Sequence, residues 1–364
     1  RPEVFDAVKV CHEAGVKVAM ITGDHQITAL AIAKNLGIVE EDDNTTLTGV
    51  EIDAMSEEEL KYAVNKCCVY ARVSPDNKLR IVKAFKQNKE IVGMTGDGTN
   101  DAPALKEADI GIAMGIAGTD VAKGAAGILL LDDNFTTIKS AINDGRKITR
   151  NIKNVVSFIL STNLATGIFV LFFTFIFGMN AITISQRLLL DLVTDTLPCI
   201  FIGLNPNDFG IMKKRANKND KMFDKEMLLG ILINTFAVLL PVALTFIIAY
   251  FGVGIREANS INILCFITLS ISRILLSLTY VSRSASIFTK TGHVYANLWI
   301  GVCVSIILLF CLVFTPGLNI VVVGTHPARE FKEQTTIWAA VLLLPLFPVA
   351  VNEVKKVITL KCFN

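Results

Sequence analysis

Charge is scarce in this chain of 364 residues: Asp, Glu, Lys and Arg make up 19% of it, against 52% hydrophobic residues. That composition excludes a disordered chain and argues against a purely soluble protein. No basic stripe runs through the more polar part, so nucleic acid is not expected as a partner. The eight cysteines (11, 67, 68, 199, 265, 303, 311 and 362) form no C-x-x-C pair, and five lie in or beside apolar stretches. A disulfide framework is therefore excluded in favour of reduced, buried thiols. There is no internal repeat or low-complexity segment, and no signal peptide is expected before the head. The chain opens on Arg1-Pro2 without a methionine, from which a missing N-terminal part is expected.

The apolar content is unevenly placed. Residues 1–153 hold 19 basic and 23 acidic residues, whereas 154–364 hold 16 and 10, with long uncharged runs. An acidic head joined to a basic, membrane-seeking tail follows. The tail divides into six apolar segments of spanning length, at about 155–177, 184–204, 227–252, 261–282, 293–315 and 335–352. Basic residues cluster before the first (Arg146, Lys147, Arg150, Lys153) and in the 205–226 connection (Lys213, Lys214, Arg215, Lys218, Lys221, Lys225). Others lie in the fourth connection (Arg283, Lys290) and after the last span (Lys355, Lys356, Lys361). Alternating spans put all four clusters on one side, which the positive-inside rule makes cytoplasmic, the head with them. The expected domains are 1–145 and 146–364.

Three spans carry groups that lipid disfavours. Asp191, Thr194 and Asp195 are spaced i, i+3, i+4, and so are expected on one helix face, with Pro198 one turn later freeing backbone carbonyls. Asn163 and Thr166 are i, i+3 on the first span, and Arg273 lies midway along the fourth. An intramembrane carboxylate costs about 2.5–3.5 kcal/mol even on a mild insertion scale, so two together require a cation, a proton or a basic partner. Carboxylate, amide and hydroxyl oxygens beside an interrupted helix suit a hard cation such as Ca²⁺. The plainer alternatives are helix–helix hydrogen bonding for Asn163 and Thr166 and snorkelling for Arg273.

The head alternates short β runs (16–21, 69–72, 91–94, 110–113, 128–131) with helical patterns such as 28–36 and 78–87, predicting a parallel, doubly wound α/β sheet. Ligands then belong at the carboxyl ends of strands. Two such ends carry acidic turns: Thr22-Gly23-Asp24, and Thr95-Gly96-Asp97-Gly98-Thr99-Asn100-Asp101-Ala102-Pro103. Glycine lets backbone approach a phosphate, Asp97 and Asp101 are candidate Mg²⁺ ligands, and Lys78, expected to open a helix, offers phosphoryl oxygens a positive charge. Gly111–Gly118 is expected to be only a turn, and Glu57–Glu59 a solvated helix face.

The two turns and the six-span tail together resemble the C-terminal part of a P-type cation-transporting ATPase. Leu192-Val193-Thr194-Asp195 before Leu197-Pro198 is most similar to the type II calcium pumps. The resemblance implies a partial haloacid-dehalogenase-like domain followed by a six-helix membrane bundle. It implies ATP-driven Ca²⁺ transport through an aspartyl phosphate, with Mg²⁺, in a lipid bilayer, with protons counter-transported. Asp97 would bind Mg²⁺, with Asp101 a weaker ligand. Thr22, Gly23, Asp24, Lys78, Asn100 and Asp101 would line the phosphoryl site, and Lys153 would couple head to membrane. Asn163, Thr194 and Asp195 match ligands of the calcium pumps. Asp191, where the two-calcium pumps have Asn, resembles the sodium pumps, while Thr166 and Arg273 replace Glu residues. Arg273 is therefore expected to reach toward Asp191 and leave one Ca²⁺ per cycle. The family's Asp-Lys-Thr-Gly-Thr segment does not occur, so the chain is expected to be an inactive part of a longer pump, in a bacterial plasma membrane. The alternatives are another cation (Na⁺/K⁺, H⁺ or Mn²⁺), or a non-catalytic membrane protein retaining a phosphate-binding fold.

Overall fold

A computed structural model describes residues 3–178, 182–206, 210–213, 222–281, 286–288, 295–322 and 335–362. Lys214, Arg215, Lys218, Lys221, Arg283 and Lys290, the side chains of Lys361 and Cys362, and the span ends at 282 and 293–294 lie outside the described residues. The chain divides into two compact units, residues 1–146 with 210–220, and 147–209 with 221–364.

In the first unit the apolar runs become short parallel strands, each followed by a helix. Strands β1 (Met20–Ile21), β2 (Thr46–Thr48) and β3 (Val69–Ala71) form one sheet in the order β1-β3-β2, with Met20 and Thr46 flanking Val69. Strands β4 (Gly93–Gly96), β5 (Ile110–Met114) and β6 (Ile128–Leu130) form a second, in the order β4-β5-β6. The parallel α/β expectation holds, as two three-stranded sheets. Gly111–Gly118 is not merely a turn, because its first residues belong to the central strand of the second sheet. Gly111 is required there: an added Cβ would lie 2.4 Å from the Leu105 carbonyl oxygen.

Helices α1 (Glu3–Glu13), α2 (Gln26–Asn35), α3 (Gly49–Ala54), α4 (Glu57–Lys66), α5 (Pro75–Gln87), α6 (Ala102–Glu107) and α7 (Asp120–Ala125) surround these strands. Ile52, Leu60, Val64, Tyr70, Ile81 and Ala84 make one apolar cluster between α3, α4, α5 and β3. Ser56 and Glu59 close α4 with a reciprocal capping box, which leaves Glu57–Glu59 on its first, solvent-facing turn. Burial raises the Cys67 thiol to about 11, in keeping with a reduced structural cysteine. Among the described residues every cysteine whose side chain is placed is free.

The second unit is helical, and α8 (Phe135–Phe177) contains the boundary between the units. This helix begins twenty residues before the apolar run expected to span, because polar but helix-compatible residues continue its register. After it come α9 (Ile184–Leu189), a π-helical turn (Leu190–Thr196), α10 (Leu197–Gly203), α11 (Lys225–Ile247) and α12 (Ala258–Leu276). The remaining helices are α13 (Ala296–Phe314), α14 (Leu318–Val322), α15 (Thr335–Leu343) and α16 (Phe347–Cys362). Among the described residues five stretches are long and apolar enough to cross a membrane: Phe135–Phe177, Lys225–Val253, Ala258–Val281, Ala296–Phe314 and Thr335–Ile358. The chain is thus a multi-pass membrane protein. The expected second span, 184–204, is helical from Ile184 to Gly203 but is not among the five. It holds three charges, Arg187, Asp191 and Asp195, and its helix widens where Pro198 has no N–H to give and its ring would meet the carbonyl four residues back.

The centre of this unit is α12, of which every residue from Ser260 to Ile274 is buried. Helices α11, α13, α15 and α16 pack around it. Its enclosure excludes snorkelling for Arg273, whose side chain is wholly buried.

Candidate functional site

The site in the first unit is built at the carboxyl ends of β1 and β4. Past β1 the chain turns through Thr22-Gly23-Asp24, where the Asp24 N–H donates to Thr22 Oγ1 (3.1 Å) and Thr22 Oγ1–H donates to Asp24 Oδ2 (2.9 Å). The Arg72 N–H, just beyond β3, donates to the Asp24 carbonyl at 3.0 Å and fixes this turn beside the next strand end. Past β4, Asp97 and Asn100 are exposed and Asp101 is buried. Lys78 Nζ donates to Asp101 Oδ1 at 2.6 Å, and Asp101 Oδ2 accepts the Gly98 N–H at 3.2 Å. Lys78 does not open its helix. Ser74 caps α5, Pro75 begins it, and Asn77 completes the capping box, which sets Lys78 one turn inside and aims it at Asp101.

Asp97 has no side-chain hydrogen bond among the described residues, while its carbonyl accepts the Thr119 N–H at 2.8 Å. The loop supplying Thr119 is held by Asp133, whose carboxyl the N–H groups of Ile116 and Ala117 keep below the usual carboxylate range. No cluster of three or more His, Cys, Asp or Glu side chains suited to a metal occurs among the described residues. Mg²⁺ needs no such cluster, since one or two carboxylates with water and substrate phosphate suffice. An unpaired, exposed Asp97 beside an anchored Asp101 fits that donor set. Gly96 is fixed by the same packing, because a Cβ there would stand 2.5 Å from Asp101 Cβ. The Gly96→Ala substitution is expected to cost about 1–3 kcal/mol, as overpacking does, and to displace Asp101 from Lys78. Denaturant unfolding of the protein checks the first effect, and a slower phosphorylation of the complete protein checks the second.

In the second unit the polar groups of three helices meet, but not on one face. Thr194 and Asp195 are buried, whereas Asp191 is half-exposed. The intervening turn is π, with Thr196 Oγ1–H donating to the Asp191 carbonyl five residues back, so positions i and i+4 no longer stack. Arg273 Nη2 pairs with Asp195 Oδ2, not with Asp191. Thr162 Oγ1 on α8 lies 3.4 Å from the same carboxylate oxygen. Asp195 Oδ1 and Arg273 Nε and Nη1 are buried with no partner in the structure. Asp191 is paired instead with Arg187, Nε to Oδ2 at 3.1 Å, and Arg187 Nη2 donates to Asn163 Oδ1 at 3.0 Å. Thr166 and Thr194 spend their hydroxyl protons on the carbonyls of Thr162 and Leu190 and keep lone pairs free. Lys153 is buried, with Nζ 3.9 Å from Asp224, the cap of α11.

Sequence reasoning therefore missed two residues, Arg187 and Thr162. Arg187 was detectable as a charge one helical turn before Asp191. Thr162 had no signal, since hydroxyls bonded to their own helix are ordinary in membrane spans.

The pattern of the family "Cation transporting ATPase, C-terminus" matches residues 179–358, and that of "haloacid dehalogenase-like hydrolase" matches residues 1–109. A calcium-transporting ATPase of Bacillus cereus is 38% identical over 98% of the chain and 41% of its own length. One from Listeria monocytogenes is 37% identical over 100% of the chain and 40% of its own length. An endoplasmic reticulum calcium ATPase of Aspergillus fumigatus is 43% identical over 61% of the chain and 23% of its own length. The chain belongs to the P-type cation-transporting ATPases. It spans about two-fifths of the length of the bacterial relatives. Within this chain, Thr22, Asp24, Lys78, Asp97 and Asp101 fall in the hydrolase-like match, and Arg187, Asp191, Asp195 and Arg273 in the C-terminal match. Lys153, Thr162, Asn163 and Thr166, on the long helix α8, lie between the two.

Proposed function

We propose that this chain belongs to an ATP-driven Ca²⁺ pump of a bacterial plasma membrane, working through an aspartyl phosphate and moving one Ca²⁺ per cycle. The observation that carries the reading is Asp195. It is a buried carboxylate on a π-widened helix before a proline, with Oδ1 unpartnered and Thr162 in reach. The names of the relatives support calcium as the cargo. The basic residues Arg146, Lys147, Arg150 and Lys153 support a cytoplasmic head.

In this reading the Asp that takes the γ-phosphoryl is not among these residues, since no Asp-Lys-Thr-Gly-Thr segment occurs, and the 364 residues alone neither hydrolyse ATP nor pump. Mg²⁺, held by Asp97 and more weakly by Asp101, supplies charge neutralisation on phosphoryl oxygens when bound. Lys78, set by Asp101, adds a second positive charge. Thr22, Gly23, Asp24 and Asn100 orient the group at the two strand ends. Lys153 and α8 transmit the change of state, and protons are the counter-ions. The cation is bound by Asp195 with Asn163, Thr166, Asp191 and Thr194. Arg273 occupies space and charge that a second Ca²⁺ would need, and hence sets the count at one.

The test is the number of Ca²⁺ ions occluded per phosphoenzyme in the complete protein, reconstituted in vesicles. One is expected. Two would overturn the stoichiometry, and phosphorylation that answers to Na⁺, K⁺ or Mn²⁺ but not to Ca²⁺ would overturn the cargo. A second cargo has one observation in its favour: Asp191 and Asp195 each carry a guanidinium partner, which lowers the net negative charge offered to a divalent ion.

A further inference from the structure

The two guanidinium groups of the cation site differ in kind. Arg273 and Asp195 are sealed, with side chains 0% and 10% exposed, whereas Arg187 and Asp191 are each 47% exposed. Arg273 stands on the stretch of α12 that is buried from Ser260 to Ile274, so its charge is a fixed feature of the site. Arg187 stands on the same short helix run as the carboxylate it holds, four residues earlier, and reaches across to Asn163 on α8. Asn163 is itself oriented: its Nδ2 donates to the Ile159 carbonyl at 3.0 Å, so Oδ1 is the atom presented to Arg187.

Two of the oxygens that a metal would need, Asp191 Oδ2 and Asn163 Oδ1, thus already converge on one tethered positive charge. A guanidinium donor and a metal ion compete for the same lone pairs. We propose that Arg187 is a tethered cation of this site, which holds Asp191 and Asn163 when the metal is absent and leaves them when it binds. This inference rests on the proposed transport function and narrows it. At Asp191 the positive charge that returns after metal release belongs to the protein's own arginine. Among the described residues the neighbouring helices bring little other charge to the exchange. Of the helices packed against this run, α12 contributes Arg273 alone, already engaged by Asp195, while α13 and α14 carry no charge. The stretch of α8 from Asn154 to Phe177 also carries none.

The test uses the complete protein in vesicles, with Ca²⁺ as the probe, comparing wild type with Arg187→Gln and Arg187→Lys. Gln keeps a donor for Asn163 without the charge. Removing a competitor held by a half-exposed ion pair is expected to lower the Ca²⁺ concentration for half-maximal phosphorylation about fivefold. Arg187→Lys, which returns the positive charge, restores the wild-type affinity. A merely structural role for Arg187 would leave Ca²⁺ affinity in Arg187→Gln unchanged or weaker, and Lys would have no gain to reverse. Unchanged or weakened Ca²⁺ affinity in Arg187→Gln overturns the inference while leaving the pump intact. Absence of Ca²⁺-dependent phosphorylation in wild type itself overturns the transport function and this inference with it.

Discussion

Replacing Arg273 with methionine is expected to destabilise the membrane unit by about 3–5 kcal/mol in Ca²⁺-free buffer, the cost of stranding one member of a buried ion pair. Both partners lie in the interior, and Asp195 Oδ1 already lacks a hydrogen bond, so the carboxylate would lose the cation it is paired with. Methionine preserves most of the side-chain volume, which separates the loss of charge from the creation of a cavity. The same change frees both oxygens of Asp195 for a metal. Ca²⁺ should therefore stabilise the variant more than the wild type, by about 2.7 kcal/mol at a hundredfold excess over the dissociation constant. Thermal unfolding in detergent, followed by the reaction of a thiol dye with buried Cys265 and half-buried Cys199, measures both effects. The double variant Arg273→Met, Asp195→Leu should recover the lost stability, since an apolar pair often replaces a buried ion pair at no cost. It should not recover response to Ca²⁺. A single variant as stable as wild type without Ca²⁺ would show that the pair contributes no charge compensation.

The position of the acidic turns was legible in the sequence, because an apolar run that ends in glycine and carboxylates reads as a strand end, and both turns follow strands β1 and β4. Strand β2 was not, since Thr46-Leu47-Thr48 follows an acidic run and offers a single apolar residue. In the membrane unit the polar residues were legible one by one, because each stands out against an apolar span. Their pairing was not. Asp195 and Arg273 are 78 positions apart, and only the packing of two helices decides that they meet. The shared face expected for Asp191 and Asp195 assumed 3.6 residues per turn, and the π turn ahead of Pro198 broke that assumption. The proline was visible, but whether it would kink, widen or end the helix depends on what surrounds it. Arg187 escaped notice for a different reason: averaging hydropathy over a span hides a charge near its end.

The head site yields the second large effect. Lys78→Met is expected to lower the rate of phosphorylation from ATP in the complete protein about 10²–10³-fold, as losing one preorganised positive charge on a transferring group does. The geometry makes the loss specific. Lys78 is held by Asp101 at 2.6 Å, with side chains 19% and 9% exposed, so the ammonium is positioned before any phosphate arrives. Asp101 is in turn fixed by the Gly98 N–H and by the absence of a Cβ at Gly96. If Asp101 acts on phosphoryl transfer chiefly by aiming Lys78, then Asp101→Asn and Lys78→Met should not add: the double variant should be about as slow as Lys78→Met alone. Additive losses would instead give Asp101 a separate share, as a weak Mg²⁺ ligand beside Asp97, and titrating Mg²⁺ would then rescue Asp101→Asn in part but leave Lys78→Met unmoved. Rapid-quench measurement of phosphoenzyme formation across the four proteins, at two Mg²⁺ concentrations, decides between them. Equal rates in wild type and Lys78→Met would remove Lys78 from the site altogether, and with it the reason for its burial one turn inside α5.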